Sequence, residues 1–146
     1  MAIPVPQARR YHREMLDFSS LKRATESLAE AVKAARARPA DLLVRDASIQ
    51  RFEYTFELCV KFLRRQLDAM SDSPSEVDAL GYRDMIRLGV ERGLLKSAPA
   101  RFRYREMRNI TSHVYDPVKA ARVFEIVPAF LRDAKALYAG LVKAAK

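Results

Sequence analysis

The segment "MRNITSHVYDP", Met107 to Pro117, carries an arginine, a histidine five residues later and a tyrosine two beyond that. With 19 arginines and two histidines in 146 residues, an arginine five positions before some histidine is expected by chance in roughly one such chain in four, and the full triplet in about one in a hundred. The pair alone says little; the triplet Arg108, His113, Tyr115 is worth testing as chemistry. An imidazole near its ordinary pKa of about 6.5 can take and give a proton at neutral pH, which suits RNA cleavage by attack of the neighbouring 2′-hydroxyl without a metal. A guanidinium can stabilise the charge that gathers on phosphorus. Each residue also has a structural reading. His113 can cap the carbonyls at a helix end, and Tyr115 can pack its ring under the turn or, if exposed, serve as a nucleophile that accepts an adenylyl group.

These residues must be positioned by helices. "ARFRYREMRNITSH" reads as the fourth helix, opened by Ser97 and Pro99. Arg101, Arg105, Arg108 and Ser112 then fall at steps of four, three and four, so three guanidiniums are expected on one side, with Asn109 and His113 on an adjacent one. That face reads either as a solvated basic surface or as a phosphate cradle. Asp116 before Pro117 is a cap and first-turn signature, so a break is expected near Tyr115 and a last helix from Pro117 to about Ala144, kinked or divided at Pro128. Upstream, Phe18, Leu21, Leu28, Val32 and Ala35 draw an apolar stripe along a first helix that Pro39 stops. Asp41 caps a second, in which Ile49, Phe52, Phe56, Cys59, Leu63, Leu67 and Met70 recur at steps of three and four. Glu53 and Glu57 on that helix either face the basic groove or pair with Lys61. A third helix begins at Ser73 and Pro74, with Glu76 placed for a capping box, and ends near Gly93; Gly81 and Gly89 mark a bend or a close helix contact. The expected fold is all-α, an antiparallel bundle of four to five helices over residues 16–146, after an N-terminal arm of residues 1–15 (with Pro4, Pro6, Arg9, Arg10, His12 and Arg13) expected to be mobile.

Composition narrows the partners. The formal charge of +9 favours polyanions: nucleic acid, an acidic protein or an anionic surface. No apolar run is long enough to span a bilayer and the first residues lack the pattern of a secretory signal, so a cytoplasmic protein is expected. The single cysteine, Cys59, has no partner for an internal disulfide and no ligand-spaced neighbour, and reads as a small core residue. A glycine-rich phosphate loop, paired cysteines, a G-x-S-x-G elbow and an acidic neighbour for Asp116 are all missing. No metal or cofactor is therefore expected.

"LDFSSLKRA", "IQRFEYTFEL" and "RNITSHVYD", in that order and separation, resemble the nucleotidyltransferase substrate-binding proteins of the HEPN superfamily, over roughly Leu16 to Val142. The resemblance implies an antiparallel helical bundle that forms a homodimer and is encoded beside a minimal nucleotidyltransferase in a toxin–antitoxin-like pair. It matches Arg108 and His113 to the R-x4-H pattern of metal-independent HEPN ribonucleases. Tyr115 completes the R-x4-H-x-Y form in which the partner adenylylates the tyrosine, and Asn109 matches the polar residue after the arginine. Where relatives often carry a tryptophan and an acidic pair, this chain has Phe102, Arg103, Tyr104, Arg105, Glu106 and Met107, with extra positive charge toward RNA. It has no glycine-serine loop followed by spaced aspartates, so it resembles the partner of a transferase and not the transferase. The leading expectation is a toxin subunit acting as an endoribonuclease, in which two copies meet along the fourth helix and line one groove, with Asn109, Arg101, Arg105, Ser112 and Asp116 in support. Two alternatives are a non-catalytic subunit that binds a nucleotide or substrate for a two-component nucleotidyltransferase, and a general nucleic-acid-binding bundle.

Overall fold

The computed structural model describes residues 17–146; the expected arm, with His12, lies outside the described residues. These form six α-helices and one short 3-10 turn, with no strand among them: α1 Ser19–Ala37, α2 Leu42–Met70, α3 Pro74–Asp78, α4 Tyr82–Glu91, α5 Ala98–Asn109, the turn Thr111–His113, and α6 Pro117–Ala144. The all-α reading holds. The anticipated third helix is two helices, because the chain turns at Leu80 and Gly81 starts α4 from an extended conformation.

α1 and α2 form an antiparallel pair. Phe18 meets Phe62 edge-on at 5.5 Å, the Thr55 hydroxyl lies 3.4 Å from the Ala24 carbonyl, and the Arg51 guanidinium donates to the Ser27 carbonyl at 2.6 Å. Residue numbers on one helix fall as those on the other rise, which defines the direction. α5 and α6 are antiparallel by the same test, with Tyr104 packed on Phe130 and Arg101 bonded to the Asp133 carbonyl. The two pairs close on an aromatic centre in which Phe130 stands edge-on to Phe52 at 4.8 Å and to Tyr104 at 5.2 Å. Such edge-to-face contacts add to the apolar burial that holds helices together.

Asp41 accepts from the amides of Leu43 and Val44 and starts α2 as expected. The Ser73 hydroxyl turns instead to Ser75, so the anticipated capping box with Glu76 does not form, while Pro74 takes the first position of α3 as expected. Gly93, at φ 79°, closes α4, where the Leu94 amide returns to the Gly89 carbonyl. A side chain on Gly89 would come within 2.9 Å of Leu95, so that glycine marks a close packing contact. α6 runs unbroken past Pro128, contrary to the division considered above. The lost backbone bond is outweighed by a helix whose Val123, Val127, Phe130, Leu131, Leu137 and Leu141 are buried on both sides of the proline.

Cys59 is buried, and burial pushes its thiol up to about 12, against the pull of the nearby Arg101. It is a core residue. No described helix is long and apolar enough to cross a membrane.

Candidate functional site

The helix carrying the arginines ends earlier than its spacing suggests. Ser97 caps the start, accepting from the Ala100 amide, and α5 stops at Asn109. The buried Thr111 then turns its hydroxyl back to the Arg108 carbonyl at 2.8 Å. The same carbonyl also receives the Ile110 amide, and the chain tightens into the 3-10 turn Thr111–His113. The His113 amide bonds the Ile110 carbonyl, and the Asp116 amide bonds the His113 carbonyl. Asp116 is then the cap of α6, accepting from Val118 at 2.9 Å and Lys119 at 3.4 Å. Its carboxylate holds the helix start rather than the groove.

The three guanidiniums do not share a side. Arg101 is buried, its guanidinium bonded to the Asp133 carbonyl at 3.0 Å and set against the Tyr104 ring. It therefore cannot support a surface groove: its stem is buried and its guanidinium is taken up by a backbone carbonyl of α6. Arg105 is exposed and lies over the Tyr82 ring at 4.6 Å. Arg108 reaches α2 instead: its Nε donates to Glu57 at 2.7 Å and its Nη2 stands 3.6 Å from Glu53. Of the two readings left open for these glutamates, the one that faces them to the basic side is observed.

His113 and Tyr115 are both exposed, Tyr115 to 82%. The His113 Nδ1 lies 3.4 Å from the Tyr115 hydroxyl, with the rings edge-on at 6.1 Å. Among the described residues this hydroxyl, and not a helix carbonyl, is the hydrogen-bond partner of the imidazole, so the capping role is not adopted. Tyr115 does not pack beneath the turn. Ser112 is exposed on the same turn, whereas Asn109 borders a separate pocket with Tyr82, Arg83, Phe102, Arg105 and Glu106. The expected side-by-side placement of Asn109 and His113 required a helix that continued to His113.

Below this surface, Tyr104 donates a hydrogen bond to the Asp133 carboxylate. Its phenol is pushed above the ordinary range by burial first and by that carboxylate second. Tyr82 is raised to about 12 by burial, opposed by Arg101 and Arg105, and donates to the Arg101 carbonyl at 3.0 Å. Among the described residues no three of His, Cys, Asp and Glu cluster as a metal site would require.

The model of a family described as nucleotidyltransferase substrate binding protein like matches residues 16–143. The chain belongs to that family. Among relatives of this nucleotidyltransferase substrate-binding-like chain, a Haemophilus influenzae protein named probable ribonuclease HepT is 37% identical over 97 residues, 66% of either length. A solved structure from Haemophilus influenzae, described as the fold of a substrate-binding domain of a nucleotidyltransferase, superposes with a TM-score of 0.81 at 30% identity, covering 86% of this chain and 98% of that one. A Thermus thermophilus structure gives a TM-score of 0.66 at 30% identity over 81% and 98%. Arg108, His113 and Tyr115 all fall within the segment that the family model covers.

Proposed function

We propose that the protein is a HEPN-type partner of a minimal nucleotidyltransferase, acting as a metal-independent endoribonuclease whose Tyr115 the partner adenylylates. The observation that carries this reading is the exposure of His113 and Tyr115 side by side on the turn directly after Arg108. The name of the Haemophilus influenzae relative supports the ribonuclease assignment, and the family description supports the partner.

In this reading His113 removes the proton from a ribose 2′-hydroxyl. The 2′-oxygen bonds to phosphorus, the bond to the 5′-oxygen breaks, and that oxygen leaves with a proton from the imidazolium of a second copy, giving a 2′,3′-cyclic phosphate. One histidine per motif supplies only one of the two proton transfers, which is the chemical reason for a homodimer with both motifs on one groove. Glu57 and Glu53 hold the Arg108 guanidinium in a fixed orientation, and its remaining N–H groups face the charge that develops on phosphorus. Adenylylation of Tyr115 would place a bulky anion beside His113 and block the groove, which is how the transferase would act as antitoxin.

Purified protein incubated with RNA in EDTA tests the scheme. Cleavage is expected, with a cyclic phosphate end, and His113→Ala should lower it by about 10²-fold or more. Cleavage kept in that variant, or equal activity from a monomer, would refute it.

One observation favours a second reading, a non-catalytic subunit that binds substrate or nucleotide for a two-component nucleotidyltransferase. Arg108 faces two carboxylates, which offset the positive charge that cleavage would need at a reacting phosphorus, a need that binding without catalysis does not have. A clean null over a range of RNAs in the same assay would select this reading.

A further inference from the structure

Two carboxylates on one guanidinium leave the Arg108 cluster with more negative than positive charge. An anionic strand therefore needs a second foothold. The described surface offers one between α4 and α5. A cavity of about 220 Å³ is lined there by Tyr82, Arg83, Phe102, Arg105, Glu106 and Asn109. The Arg83 guanidinium lies 4.4 Å from the centre of the Phe102 ring, and that of Arg105 lies 4.6 Å from the centre of the Tyr82 ring. Tyr82 is itself fixed by its bond to the Arg101 carbonyl. Arg83 and Arg105 are exposed, and neither forms an ion pair with a described residue. Arg87, also over the Phe102 ring, is by contrast paired with Asp84.

We infer that this cavity is a nucleotide subsite that seats one unit of a single-stranded RNA, with the base stacked on a ring-backed guanidinium and its phosphate held by Arg83 and Arg105. A guanidinium lying on an aromatic ring is oriented without being neutralised. Its outer face remains open to a base, while its edge presents paired N–H donors to phosphate oxygens. Both halves of a nucleotide are thus met by the same two residues. The volume is below that of a site for a large ligand, and suits a single base. Glu106 repels phosphate and accepts from an exocyclic amino group, and the Asn109 amide can both donate and accept at the base edge. These two set the base edge toward Glu106 and Asn109 and the phosphate toward Arg83 and Arg105. Asn109, at one edge of the cavity, ends α5 two residues before the turn that carries His113, so the cavity and the turn are joined by a short stretch of chain. The inference rests on the RNA reading for its ligand but not on cleavage.

Equilibrium binding of labelled oligoadenylate by the full-length His113→Ala protein tests it without turnover. An otherwise identical strand with abasic positions keeps the phosphates and removes the stacking. The intact strand should bind about tenfold more tightly than the abasic one, and the paired substitution Arg83→Ala with Arg105→Ala should erase that preference and weaken binding about tenfold or more. Arg83→Lys with Arg105→Lys should keep the salt dependence and lose most of the preference, which separates stacking from charge in a protein whose folded state circular dichroism can verify. Adenosine monophosphate should compete only at far higher concentration than the strand; equal potency per nucleotide would make the ligand a free nucleotide and overturn the RNA assignment. Unchanged affinity in the alanine protein, or equal binding of intact and abasic strands, would overturn the subsite even if the wild-type protein cuts RNA. Loss of cleavage alone would leave the subsite standing and remove only the nuclease reading.

Discussion

Arg105 and Arg108 are three residues apart on α5 and meet opposite surroundings. Arg108 turns to α2 and is held by Glu57 and Glu53, while Arg105 turns to α4, lies on the Tyr82 ring and has no ion pair with a described residue. Arg101, one turn before, is buried against Asp133. The same side chain is thus a held guanidinium, an open stacking surface and a core strut within a single helix. What separates them is the neighbouring helix each one faces. A net charge of +9 says that anions are attracted. It does not say where they bind, because a paired arginine contributes little to the field that a phosphate meets.

Substitutions on each side of this contrast should differ in kind. The largest effect is expected at Arg108: Arg108→Ala should lower RNA cleavage by about 10²- to 10³-fold. Its melting temperature should barely move, since a partly exposed ion pair contributes about 0–1 kcal/mol. Arg101→Ala should do the reverse, destabilising the fold by about 2–3 kcal/mol in denaturant unfolding through a lost charged hydrogen bond and lost packing, with no direct effect on RNA contacts. A smaller change is expected from Glu53→Gln with Glu57→Gln, which removes the competing charges at Arg108. RNA affinity should rise by roughly three- to tenfold at low salt, and the gain should shrink as salt is added. If that protein binds RNA no better, the carboxylates are not what limits phosphate access.

A last effect concerns alkaline pH and reports on the inner side of the same helices; at about pH 8 to 9, where the protein would be assayed, it is small. The Cys59 thiol is raised from 9.0 to about 12 and the Tyr82 phenol from 10.0 to about 12, chiefly by burial, and Tyr104 is raised by burial with Asp133 beside it. Each group keeps its proton in the folded state at a pH where the unfolded chain has lost it. Their contribution to stability is therefore full below about pH 9 and declines as pH rises toward about 12. Unfolding measured across that window should show a progressive loss, and native Cys59 should resist alkylation at pH 8 that the unfolded chain undergoes.

The apolar stripes of α1 and α2, the Asp41 and Asp116 caps and the stop at Gly93 were legible in the sequence because each depends on residues within a turn of one another. Cys59 as core follows from its place on such a stripe. The parting of the arginines was not legible. Spacing on α5 puts Arg101, Arg105 and Arg108 on one side only if all three point outward, and the Asp133 carbonyl on α6 and two carboxylates on α2 decide otherwise. The end of α5 at Asn109 was missed because it depends on Thr111, whose hydroxyl bonds back to the helix, a choice that polarity alone does not reveal. The pocket at Tyr82, Arg83 and Phe102 had no local signature, since its two walls come from different helices.

Steady-state cleavage of a short RNA by three proteins, wild type, Arg108→Ala and the Arg83→Ala, Arg105→Ala pair, tests the division of labour most directly. The Arg108 protein should lose kcat with KM little changed, whereas the paired variant should raise KM by about tenfold with kcat kept. Loss of the same parameter in both, or full activity in either, would contradict separate roles for the held and the stacked arginines.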